Sequence, residues 1–309
     1  MDKPKSIAAL TAAALIWSWA NIIIKLLSPH FDAITQSFYR YIIASLFLLS
    51  YLFASKKNSF SEIIGQIPKL IWPSTLVTLH QVAFVSGVYR TSAVAAGLIA
   101  KLNVIFVPSL SFAFLVEERL VIKSLGFLAG TSLSLLGVVG VILGKSRFST
   151  TETGEGAFLV AFSMLCWSIY AIRAKRLMNS IDPIALASLM PLVSCLTLFP
   201  LALAFGDVSK IVYAPLKINA LLLISGIVPI GLGNALYYYS IKHLGASITE
   251  SSLLVIPLLT GVWSFLVLDE RLTSVQVAFG LVLILGCFIT LKAKKAISYN
   301  GYSDDDPKS

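Results

Sequence analysis

The chain has 309 residues, 57% of them hydrophobic and 13% charged, with a formal net charge of +9. Soluble domains carry about 25% charged residues, so a mean hydropathy of +0.86 leaves too little polar surface to cover a core in water and points to the lipid bilayer as solvent. The basic residues sit in short clusters between apolar runs, which argues against a nucleic-acid partner and for loops between membrane spans.

A spanning helix needs roughly 20 mostly apolar residues. Ten stretches qualify: about 7–27, 34–54, 70–90, 93–116, 121–144, 157–177, 184–204, 218–241, 247–268 and 273–291. The first follows Lys3 and Lys5, as a signal peptide would, but it is long and has a copy later in the chain. It carries Trp17, Asn21 and, near its outer end, Lys25, whose stem reaches the headgroups. The second holds Arg40 about six residues in, read as structural, and the third holds His80 and Gln81. The fourth holds Lys101 and Asn103. In the fifth, Gly126 and Gly130, then Gly140 and Gly144, are spaced for close helix approach. The sixth carries Trp167 and Tyr170, the eighth Asn234 and the run Tyr237, Tyr238, Tyr239, and the ninth Glu250. Cys166, Cys195 and Cys287 lie singly inside apolar runs and read as small core residues. The tail from Ala296 is polar and is expected to be disordered.

With the N-terminus in the cytoplasm and strict alternation, cytoplasmic segments hold 15 basic residues and outer segments 6. The bias predicts both termini inside a cytoplasmic (inner or plasma) membrane. Trp17, Ser18, Lys25 and Asp32 recur as Trp167, Ser168, Lys175 and Asp182 at an offset of 150. The triplets Glu118-Arg119-Leu120 and Glu270-Arg271-Leu272 match at 152, as do Arg90 and Lys242. Two copies of a five-helix unit follow, the second inverted because five is odd. The predicted fold is therefore an all-α integral membrane protein with ten transmembrane helices in two inverted repeats: residues 1–144, a linker at 145–156, residues 157–292, and a polar cytoplasmic tail at 293–309. Glu118 with Arg119, and Glu270 with Arg271, are read as structural helix caps on opposite surfaces.

Inverted repeats are the architecture of secondary transporters. At this point the residues also resemble a known family. Arg40 with Ala44, and the layout Pro257, Glu270, Arg271, Leu272, Gly280, Gly286, are similar to the drug/metabolite transporter superfamily of the EamA type, over about 7–292. In the first copy Pro108 stands ten residues before Glu118, where Pro257 stands thirteen before Glu270. The resemblance implies helices 1–4 and 6–9 around a central cavity, with helices 5 and 10 peripheral, and export is common in that group.

No catalytic signature, metal-ligand spacing or phosphate loop is present, so no enzyme activity, cofactor or metal is expected, and an integral-membrane enzyme is the weaker reading. Polar residues scattered singly over many spans instead suit a lined pathway. Its candidate residues are Lys101, Glu250, Asn21, Trp17, His80, Gln81, Trp167, Tyr170, Asn234 and Tyr238. Charge inside a span is costly and marks function. Counting rise per residue from opposite faces puts Lys101 about 12 Å deep and Glu250 about 5 Å deep, about 13 Å apart in a core about 30 Å thick. Asn103 falls about 200° from Lys101 on a helical wheel, so it is expected to bond a neighbouring helix and not to share the cavity wall. The expected substrate is a small metabolite, an amino acid or amino-acid-like zwitterion, with a coupled proton or an exchanged solute as driving partner. The alternatives are an organic phosphate or nucleotide-type anion, using Lys101 alone, and a lipophilic cation, using Glu250 alone.

Overall fold

A computed structural model describes residues 3–54, 60–90, 96, 99–143, 154–268 and 273–300. Helix occupies all ten predicted intervals. Among the described residues, five helices are long and apolar enough to cross a membrane: Pro4–Leu27, Ala33–Ala54, Gly154–Leu177, Pro183–Phe205 and Leu216–Leu244. The fifth span is a bent pair, Val116–Lys123 and Leu125–Gly140 at 71°, and three shorter apolar helices, Ala100–Phe114, Ala246–Thr260 and Val277–Ala293, fall in the fourth, ninth and tenth. The third span, Phe60–Arg90, begins ten residues earlier than predicted and carries Pro68 and Pro73. The tenth runs Ser274–Asn300, into the tail expected to be disordered. Lys294, Lys295 and Ala296 are good helix formers, so the periodic apolar run is not the end of the helix.

Local chemistry sets the element boundaries. Asp32 caps the second span by accepting from the Ile34 and Thr35 amides at 3.1 and 2.8 Å. Asp182, 150 residues later, caps the seventh by accepting from Ile184 at 2.9 Å. The matched aspartates thus do the same work in each copy. The ninth span relaxes into a 3₁₀ turn at Leu253–Val255, because Pro257 has no N–H to complete the α-type bond to the Leu253 carbonyl. The eighth span widens into a π-helix at Gly226–Gly233, a segment containing Pro229.

The packing obeys the inverted repeat. Spans one and eight pack together, and so do their equivalents, six and three; two packs on seven, four on nine, and five on ten. The pairs three–seven and two–eight, four–six and nine–one, are likewise related by exchange of the halves. Spans five and ten form a peripheral pair of small residues: a Cβ on Gly130 would lie 2.6 Å from the Thr290 amide, and one on Gly286 2.5 Å from the Ser134 amide. Gly144 lies outside the described residues. Large apolar side chains such as Leu46, Phe199, Leu281 and Phe288 face outward, while Arg40, Gln81, Asn234 and Glu250 are buried. This inside-out distribution belongs to a chain solvated by lipid.

Candidate functional site

The buried polar residues converge on one central cavity of about 170 Å³. Spans one to four, six, eight and nine contribute lining residues, and spans five and ten contribute none. Trp17 and Trp167, matched across the repeat, meet edge to face with ring centroids 6.1 Å apart, so the cavity sits where the halves meet. Tyr237 packs against both, at 5.1 and 5.4 Å.

Glu250 is fully buried in the ninth span. Its Oε1 accepts from Trp167 Nε1 at 3.0 Å and from the Tyr237 hydroxyl, and its Oε2 accepts from Asn103 Nδ2 at 2.6 Å. An ionised carboxylate has about four acceptor sites, so one remains for an ammonium group or a proton. Lys101 donates to the Leu253 carbonyl at 3.5 Å, the oxygen that Pro257 deprives of its α-helical donor. His80 Nδ1 pairs with the Ser163 carbonyl at 3.0 Å and its ring lies 4.9 Å from Trp167. Trp17 Nε1 donates to the Pro229 carbonyl inside the π-helix at 3.0 Å.

Of the residues predicted from sequence, Lys101, Glu250, Trp17, His80, Gln81, Trp167 and Asn234 line this cavity. The side chain of Asn21 lies outside those described, as do residues Glu270 and Arg271. Several expectations are corrected. Asn103 does bond a neighbouring helix, but it shares the cavity with Lys101: Ala100–Leu102 is a 3₁₀ turn, which advances 120° per residue and narrows their separation from about 160° to about 120°. Lys101 and Glu250 are not separated by 13 Å of depth, since Asn103 and Leu253, within three residues of each, tie the fourth and ninth spans together at one level. The depth count assumed straight spans, and both are broken here.

Tyr238 does not line the cavity: its hydroxyl is paired with that of Tyr170 at 2.6 Å and neither is part of the lining. Tyr237, one position earlier, lies behind the lining as well but donates its hydroxyl to Glu250. Arg40, read as structural, lines the cavity, and its Nε and Nη1 have no hydrogen-bond partner. Arg40, Asn103 and Tyr237 were the residues missed; for Arg40 the available signal was a charge inside an apolar span.

The caps are also redistributed. Arg119 closes the fourth span by donating to the Phe112 and Ala113 carbonyls at 2.8 and 3.1 Å. Glu118 instead starts the ninth span, accepting from the Ala246 and Ser247 amides at 2.6 and 3.0 Å and from the Ser247 hydroxyl at 2.5 Å. Gly245, at φ +96°, makes the turn, and a Cβ there would meet Glu118 Oε1 at 3.0 Å. At the same end Lys175 donates to the Ile241 and Lys242 carbonyls at 3.2 and 3.1 Å, and Arg176 to that of Phe114 at 2.5 Å. These crossings tie the spans together at one end, and Ile24, Phe84 and Ala100 line the cavity on the side of the other.

The sequence matches the EamA-like transporter family twice, over residues 4–143 and 154–292. A protein of Archaeoglobus fulgidus named an uncharacterized transporter is 24% identical over 285 residues, covering 91% of this chain and 95% of its own. One from Methanothermobacter thermautotrophicus with the same name is 27% identical, covering 91% and 84%. A crystal structure at 16% identity superposes with a TM-score of 0.73, covering 94% of this chain and 98% of its own, and so shares the fold.

Proposed function

This chain belongs to the EamA-like transporter family, and from that premise we propose that it is a secondary carrier moving a small metabolite across the cytoplasmic membrane by alternating access. The substrate class we propose is an amino acid or amino-acid-like zwitterion. The observation that carries the reading is the cavity where the two inverted halves meet, with Lys101 and Glu250 on its wall. Two similar halves that exchange conformations open a shared site to each side in turn. The zwitterion's acidic group faces the cationic part of the wall, its amine takes the acceptor site left on Glu250, and the Trp17 and Trp167 rings receive an apolar or planar side group. When no amine is bound, the same acceptor site on Glu250 can hold a coupled proton; the alternative driving partner is an exchanged solute.

Counterflow in proteoliposomes tests this. Vesicles preloaded with unlabelled neutral amino acids are expected to accumulate labelled leucine or a close analogue. If no amino acid counterflows while a phosphate ester or a lipophilic cation does, the zwitterion is wrong; if nothing counterflows, the carrier reading falls.

A further inference from the structure

Resting on the carrier reading, we infer that Arg40 is the anion anchor of the cavity and that it takes the carboxylate of the substrate, making a small organic carboxylate the class of ligand recognised. Arg40 lies in the second span, 2% exposed, and lines the central cavity. Its Nε and Nη1 have no hydrogen-bond partner. A guanidinium does not shed its proton to escape burial, and a desolvated charge without partners is costly. Such an arrangement is sustained by a ligand that completes it.

The other charges of the cavity are already engaged. Glu250 is held by three neutral donors on the fourth, sixth and eighth spans. Lys101 reaches the Leu253 carbonyl on the same wall. With Glu250 ionised, the two cations leave the cavity one positive charge in excess, and Arg40 carries it without a partner. Its planar fork of donors matches a carboxylate bidentately, where an ammonium presents only a point charge. Lys101 then acts on the carboxylate at longer range and biases the cavity against cations. Of the two cations, Arg40 makes the direct contact with the acidic group.

The test compares carboxylates with their uncharged amides on the purified full-length protein. Benzoate, succinate and leucine are set against benzamide, succinamide and leucinamide, and binding is read as the rise in apparent melting temperature. The carboxylates are expected to stabilise the wild type and their amides not. Arg40→Gln is expected to weaken carboxylate binding by about tenfold or more, the loss of a charge-assisted pair. Arg40→Lys keeps charge but not the fork and is expected to fall between. Equal stabilisation by acid and amide, no stabilisation by any carboxylate, or unchanged carboxylate affinity in Arg40→Gln each overturns the anchor. If Arg40→Gln does not fold, the wild-type contrast and Arg40→Lys still decide. Normal leucine counterflow by Arg40→Gln would remove the anchor and leave the carrier standing, whereas absent counterflow in the wild type removes the carrier itself.

Discussion

At the scale of single residues, Lys101 and Asp32 show how differently a charge behaves inside and outside the membrane. Lys101 makes one long contact, 3.5 Å to a carbonyl, so its removal sacrifices little packing. Lys101→Ala is expected to cut counterflow by about tenfold or more, since a buried interaction with a charged group is worth about 1.5–3 kcal/mol, while the melting temperature moves only a few degrees. Unchanged kinetics would clear Lys101 of any role. Asp32 sits between the first and second spans. Burial opposes its charge, but hydrogen bonds from Thr35 and the Asp207 amide, with the charge of nearby Lys210, hold its carboxyl below the usual carboxylate range. A depressed folded-state pKa stabilises above the unfolded value, about 3.9, and that stability disappears as pH falls through the folded value. Asp32→Ala is therefore expected to cost about 1 kcal/mol near neutrality, and the gap to wild type should close on acidification below about pH 4; a gap that widens would show the sign to be wrong. The sequence showed much of the polar lining of the cavity because intramembrane polar residues stand out against apolar spans. It did not separate Tyr237 from Tyr238, since three consecutive tyrosines cover nearly a full turn and only packing selects one.

At the scale of elements, the places of the spans were legible and their breaks and caps were not. Asp32 and Asp182 stood out in the sequence as repeat matches, and their capping of the second and seventh spans appeared only in the structure. The 3₁₀ turns at Ala100–Leu102 and Leu253–Val255 were invisible to an apolarity count, and they decide where Lys101, Asn103 and Glu250 point. Pro257 signalled one of them, through its missing donor; nothing of the kind precedes the other. Glu118 was read as the cap of its own helix because a sequence displays neighbours along the chain and not across it. The small-residue seam between the fifth and tenth spans is testable. Gly130→Ala places a methyl against the Thr290 backbone and is expected to destabilise by about 1–3 kcal/mol. Gly154→Ala, with nothing within 4 Å, is the control. Equal melting temperatures for the two variants would mean the seam is not close-packed in the membrane.

At the scale of the molecule, the repeat was the most legible feature, because polar matches at a constant offset survive in an apolar chain. Its consequence, packing pairs exchanged between halves, needed the structure. Sidedness is predicted from basic residues alone. Ser209 and Asn179, beyond opposite ends of the seventh span, should label oppositely as cysteines: an impermeant reagent on intact cells reaches position 209 and misses 179. The reverse pattern would turn the molecule over. The Lys175 crossing carries a last implication. Shifted by the repeat offsets, Lys175 becomes Lys25, and Ile241 and Lys242 become Tyr89 and Arg90. Under the alternating-access reading proposed above, the first half holds the residues for an equivalent crossing at the opposite end. A cysteine at position 25 should cross-link to one at 89 more readily when bound substrate turns the carrier over, and a yield indifferent to substrate would mean the two ends do not share a design.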